Sequence, residues 1–189
     1  MNRIIEDKTF NGINFVEKAL NYSEYENCVF TNCDFSNADL SEINFSDCKF
    51  QKCNFSLTKI YGTIFNSVSF FECKLLGLNF NDCNTNLLSF EFENSQLNLS
   101  SFYKLKIQGI EFRSCNLQEV DFSESDLSKA IFENCDFNRA IFENTNLEKS
   151  DFSSSYNYII NPEINKITKA KFSMPGVLGL LDKYDIRII

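Results

Sequence analysis

Bulky apolar side chains return at every fifth residue along most of this chain, and few folds can satisfy such a period. From Phe10 the steps fall on Phe15, Leu20, Tyr25, Phe30, Phe35, Leu40, Phe45, Phe50, Phe55, Ile60, Phe65, Phe70, Leu75 and Phe80. The frame then slips by two residues and resumes at Leu87. From there it runs through Phe92, Leu97, Phe102, Ile107, Phe112, Leu117, Phe122, Leu127, Phe132, Phe137, Phe142, Leu147 and Phe152. Two positions before each bulky slot stands a mostly small residue, such as Cys28, Cys33, Ala38, Cys48, Cys53, Thr58, Thr63 and Cys73. Asn, Asp, Glu, Ser and Lys fill the other positions.

A period of five fits neither the 3.6 of a helix nor the 2.0 of a strand. It suits a coil of short straight sides, each turning one large and one small residue inward. A single coil cannot bury its inward face, so such coils must stack. The slip predicts a local bulge over residues 81–87, with Thr85 as the small inward partner of Leu87 and Phe90 as a bulky intruder in the small column.

Segments such as CDFSNADLSEINF and SDLSKAIFENCDFNRAIFENTNLEKSDF resemble the pentapeptide-repeat family over residues 10–152. The resemblance implies an all-β fold, a right-handed quadrilateral β-solenoid with 20 residues per coil. Cysteine spacing agrees, since Cys28/Cys48, Cys33/Cys53, Cys53/Cys73 and Cys115/Cys135 all lie 20 apart. The expected organisation is an N-terminal cap over 1–9, the solenoid over 10–156, a linker over 157–171 and a C-terminal helix and strand over 172–189.

Eight cysteines raise the question of disulfides or metal. They share the small inward column, where stacked side chains run parallel about 4.8 Å apart rather than converging. Zinc would need four converging ligands, and the chain has no His. Reduced packing thiols are therefore expected, with no metal and no cofactor. Neither a His-based triad nor a Gly-rich phosphate loop is present, so a non-enzymatic protein is expected.

A formal net charge of −8 opposes direct nucleic-acid binding, which needs clustered Lys and Arg. Nothing in the sequence is long and apolar enough to span a membrane or to act as a signal peptide, so a cytoplasmic location is expected. The densest acidic run is Glu119, Asp121, Glu124, Asp126, Glu133 and Asp136. Outward apolar residues Leu57, Tyr61, Phe71 and Leu76 form a second candidate binding set, with Tyr103 apart from them.

Beyond Phe152 the repeat dissolves, and SMPGVLGLLDKYDIRII predicts a short helix followed by a last strand. This tail resembles the dimerisation module of quinolone-resistance members of the family, and INPEINKI resembles the tail of a microcin-immunity member. An open solenoid end must be capped or paired, so the apolar tail either folds back as a cap on its own chain or joins two chains. The resemblance implies the second, a homodimer with Leu178, Leu181, Tyr184, Ile186 and Ile188 as anchors. It also implies binding to DNA gyrase or topoisomerase IV as a partial DNA mimic, protecting the enzyme from a quinolone or toxin. The quinolone-resistance members carry projecting loops, which the two-residue slip is too short to form. A scaffold repeat protein with an unrelated protein partner is the alternative.

Overall fold

The computed structural model describes residues 4–18, 20 and 24–187. The chain winds into a four-sided parallel β-solenoid. Phe10 pairs with Phe30, Phe30 with Phe50 and Phe112 with Phe132, each a step of 20 residues. The first face is a four-stranded parallel sheet spanning Ile4–Glu6, Glu24–Glu26, Asn44–Ser46 and Ile64–Asn66. The second face is a nine-stranded sheet running without a break from Thr9–Asn11 to Lys171–Phe172. The third and fourth faces are turns joined by single parallel bridges, such as Asp34 to Asn54 and Asp39 to Lys59.

The pentapeptide explains how a side ends. The residue two after most bulky slots takes a positive φ, as at Asn32 (53°), Lys52 (55°) and Glu72 (52°). That left-handed step turns the corner, and Asn tolerates it best among residues with a Cβ. At the corner the backbone N–H reaches the next coil, as Asn32 N does to Gln51 O at 2.9 Å. On the turn faces the Asp or Asn before the bulky slot accepts a backbone N–H two residues on, for example Ser36 N to Asp34 Oδ1 at 2.9 Å. Acidic residues at these sites therefore serve the turn.

Inside, like stacks on like. On the second face phenyl rings pile from Phe10 to Phe172, with centroids 4.7 Å apart at Phe10–Phe30 and 5.1 Å at Phe92–Phe112. Neighbouring faces meet edge to face, as Phe102 and Phe112 do at 90°. Both arrangements suit the quadrupole of aromatic rings.

The frame slip corrects one expectation. Val68 pairs with Phe90 and Phe70 with Phe92, so this coil holds 22 residues while the second face keeps its register. Cys83 still takes the small inward place, but Thr85 and Leu87 do not point inward. Thr85–Leu87 forms a 3₁₀ turn that leaves the wall, and Leu87 is 60% exposed. The Asn84 side chain holds that turn by accepting from Asn86 N. Phe90 occupies the small column as expected, and its ring packs on Phe65, Phe80, Phe92 and Phe102. A large ring there fills the space that Leu87 leaves.

All eight cysteines are buried and free. Thiols cap backbone carbonyls, as Cys48 Sγ does at Tyr25 O. Burial pushes Cys48 up to about 12 and raises Cys83 as well. Attack on a reagent needs the thiolate, whose fraction at pH 8 falls by about three orders of magnitude against an ordinary thiol. Burial also keeps a bulky reagent away from all eight thiols, so an aromatic disulfide reagent should leave the native protein almost unlabelled and titrate eight thiols after unfolding. Fast native labelling of Cys33, Cys53 or Cys73 would overturn this placement.

The ends differ from the expected division. The first rung begins at Ile4, within the expected cap. Residues 157–171 build the last coil, where Asn165 is buried and holds Thr145 N, Phe142 O and Asn161 O. The tail helix is one turn, Leu178–Leu181, continued as a 3₁₀ turn over Asp182–Tyr184. No strand follows among the described residues up to Arg187, and Ile188 lies outside them. Gly176 and Gly179 press on Tyr158, so the glycines that weaken the helix permit its docking.

Candidate protein-binding face

Residues 20 apart share a face, so the run from Glu119 to Asp136 wraps around nearly a whole coil. Asp121 lies on the fourth face, with Glu119 and Glu124 at its two corners. Asp126 belongs to the first face, Glu133 to the second and Asp136 to the third. The last three are also engaged. Asp126 accepts from Gln108, Asn146 and Ser128, and Asp136 from Gln118, Asn157 and Asn138. Glu133 lies 3.8 Å from the Arg113 guanidinium.

The apolar set divides in the same way. Leu57 (64% exposed) and Leu76 meet at the corner between the third and fourth faces, where Leu57 N bonds Leu76 O. Leu57 also leans over Gly77, whose missing Cβ would lie 3.2 Å from Leu57 Cδ2. Leu99, 60% exposed, takes the next place on that corner, and Glu119 follows it. Tyr61 (69% exposed) stands at the opposite edge of the fourth face. Phe71 pairs with Gln51 and Glu93 on the second face, away from the others.

Six of the ten residues singled out in sequence thus meet on the fourth face and its corners: Leu57, Tyr61, Leu76, Glu119, Asp121 and Glu124. The structure adds Asp39, Glu42, Asp82, Leu99 and Glu143 to them. Projection of the sequence at 20-residue steps would have found these. The face carries seven acids against Lys59, Lys104 and Arg139. Lys104 is committed: it lies 3.4 Å from Glu124 and over the Tyr103 ring, which together with Glu124 favour its charged form. Tyr103 itself donates to Glu124 at 3.0 Å. The face is therefore a flat acidic strip with an apolar stretch along its corner with the third face, suited to a basic surface that also offers apolar contacts.

Of the expected tail anchors, Leu178 (53%), Tyr184 (47%) and Ile186 (56%) are exposed, and Leu181 is half-buried. Met174, 87% exposed, stands beside them. Tyr184 donates to Glu163 at 3.1 Å, which fixes the tail on the last coil. No group of three or more metal-ligating side chains and no membrane-length apolar helix occurs among the described residues.

The backbone resembles solved solenoids from end to end. The quinolone-resistance protein QnrB1 covers 97% of this chain and 100% of its own, at 20% identity and a TM-score of 0.50. HetL, involved in heterocyst differentiation regulation in the cyanobacterium Nostoc sp. strain PCC 7120, covers 92% of this chain and 89% of its own. Its identity is 14% and its TM-score 0.72. At such identities the likeness is one of fold. No curated protein sequence matches the chain. The model of the pentapeptide repeat region matches residues 3–80, 19–102 and 43–122, and that of eight pentapeptide repeats matches residues 115–153. With those matches on a wall of five-residue sides, the chain belongs to the pentapeptide-repeat family.

Proposed function

We propose that the protein binds a type II topoisomerase, DNA gyrase or topoisomerase IV, through its fourth face, and protects that enzyme from a quinolone or toxin. The observation that carries this reading is the gathering of Glu119, Asp121, Glu124 and their neighbours into one acidic strip. Sites that hold DNA are lined with Lys and Arg that neutralise phosphates, and a strip of carboxylates offers them the same sign of charge. The mimicry is partial. B-DNA carries about one charge per 1.7 Å, well above the density of this face.

Reversal of Glu119, Asp121 and Glu124 to Lys should abolish binding to purified gyrase and remove any effect on quinolone-induced cleavage. Circular dichroism should keep the solenoid signature, since these three side chains lie outside the core and the reversal removes a single turn bond, from Ser123 N to Asp121. Binding of the wild type should weaken steeply between about 50 and 200 mM salt, as screening shortens the reach of exposed charge. Absence of gyrase binding at low salt would sink this reading.

A scaffold function with another protein partner is favoured by Leu57, Leu76 and Leu99, because a DNA surface offers nothing like this apolar corner. Replacing Leu57 and Leu99 by Ser should then impair partner capture more than the charge reversal does.

We also propose that the active form is a homodimer joined end to end through the tail, whose apolar side chains lie uncovered on one protomer. Each one buried contributes about 1.5–3 kcal/mol before the cost of association. Leu178→Asp should abolish this end-on association and sediment as a monomer at micromolar concentration in about 300 mM salt, because the new carboxylate would be buried without a partner. A wild-type monomer at micromolar concentration would contradict the dimer.

A further inference from the structure

The corner between the first and second faces, diagonally opposite the apolar corner, is charged in opposite senses at its two ends. Its successive residues are Asp7, Asn27, Asp47, Ser67, then Gly109, Lys129, Lys149 and Lys169, all at positive φ. Ser89 fills the place between Ser67 and Gly109, in the coil of the slip. Lys129, Lys149 and Lys169 stack on neighbouring coils about 4.8 Å apart and repel one another. None of them forms an ion pair among the described residues, while Lys52, Lys104, Lys171 and Lys183 all do.

Midway along this edge the slip leaves a hollow of about 430 Å³. Val68, Leu88, Phe90, Ile107 and Ile110 supply its apolar wall, Ser67, Ser89 and Gly109 border it, and Lys49, Glu91 and Glu111 stand at its polar rim. The exposed Leu87 adjoins Leu88 in the same turn. A hollow and an apolar knob thus lie side by side at the centre of an edge that is acidic at one end and basic at the other.

We infer that a second copy of this chain packs antiparallel along this edge. A two-fold axis at Ser89 reverses the order of the nine places. It sets Asp7 opposite Lys169, Asp47 opposite Lys129 and Ser67 opposite Gly109, each pairing occurring twice. The rungs of both copies share one rise, so a match at one rung carries along the edge. The two small residues let the edges approach at the centre, and each copy's Leu87 enters the other's hollow. An isologous contact of this kind closes on itself. The overall charge of −8 disfavours a nucleic acid as the occupant of the lysine end. The fourth face points away from this edge and stays open in the pair, so the inference stands independently of the topoisomerase reading.

The contact is narrow and should be weak, in the range of small transient interfaces. Sedimentation of Leu178→Asp protein, in which end-on association is removed, isolates it. At about 50 mM salt we expect a monomer–dimer equilibrium that weakens at least tenfold at about 300 mM. Lys129→Glu with Lys169→Glu should be monomeric, and so should Asp7→Lys with Asp47→Lys. Mixing the two double variants should restore a one-to-one pair, which no misfolded variant could do. Leu87→Asp should weaken the dimer at least tenfold. Monomers at all concentrations up to about 1 mM, or failure of the mixture to pair, would overturn the inference. So would binding of a 20-base-pair duplex that depends on Lys129 and Lys169, without dimer formation.

Discussion

Phe112→Ala should destabilise the rod by about 3–5 kcal/mol, the cost of truncating a large buried side chain and leaving a cavity. Phe112 is fully buried. Its ring is stacked between Phe92 at 5.1 Å and Phe132 at 5.5 Å, with Phe102 and Phe122 edge-on. A domain holds only about 5–15 kcal/mol in total, so urea should unfold this variant far earlier than the wild type. Because coils contact only their neighbours, the two halves should also lose cooperativity, and the transition should broaden. The control is the outward Asn138→Ala, within about 0.5 kcal/mol. Asn134→Ala is a poorer control, since Asn134 sits at φ 53° and alanine there costs about 1 kcal/mol more. Equal shifts for Phe112→Ala and Asn138→Ala would refute the inside–outside assignment.

Gly179→Ala should release the tail from the last coil while leaving the solenoid folded. A Cβ at this position would stand 1.9 Å from the Tyr158 carbonyl oxygen, a backbone atom that cannot swing aside. Ile160 N also bonds Gly179 O at 3.0 Å, so moving the helix away breaks the bond that docks it. Relief by undocking costs less than relief by deforming the coil. Limited trypsin digestion should then cut rapidly after Lys183, while residues 24–172 remain protected. The same variant should lose the end-on dimer. An unchanged digestion pattern would show that the tail tolerates the displacement. Gly176→Ala should act in the same direction but less strongly, because its closest obstacle, at 1.8 Å, is the end of the Tyr158 side chain.

The wall was legible in sequence because every residue has a role that repeats. The slots from Phe10 to Phe80 and from Phe92 to Phe152 point inward as the period requires. Leu87 fails because two extra residues must leave the wall somewhere, and apolar character alone does not say where. The second face holds its register, so the first face absorbs the insertion, and Phe90 fills the gap. The acidic run misleads for a geometric reason. Neighbours in sequence diverge around the coil, whereas Leu57, Gly77, Leu99 and Glu119 align along one corner. The short tail helix carries apolar residues on several sides, so its docked side is decided by Tyr158 meeting the two glycines.

The unbroken second face makes the length of this protein a quantity that changes only in whole steps. Any two rungs present the same inward ring and the same backbone edges, so one coil can be removed or copied without a new joint being designed. Excising residues 112–131 would join Glu111 to Phe132 and bring Phe132 onto Phe92 in place of Phe112. The rod would shorten by about 4.8 Å with its corners aligned. Gain or loss of other residue numbers rotates everything downstream unless the surplus is expelled, as it is at Thr85–Leu87. A lineage built this way behaves as a ruler graduated in coils, able to fit partners of different reach while the chemistry of each face is kept.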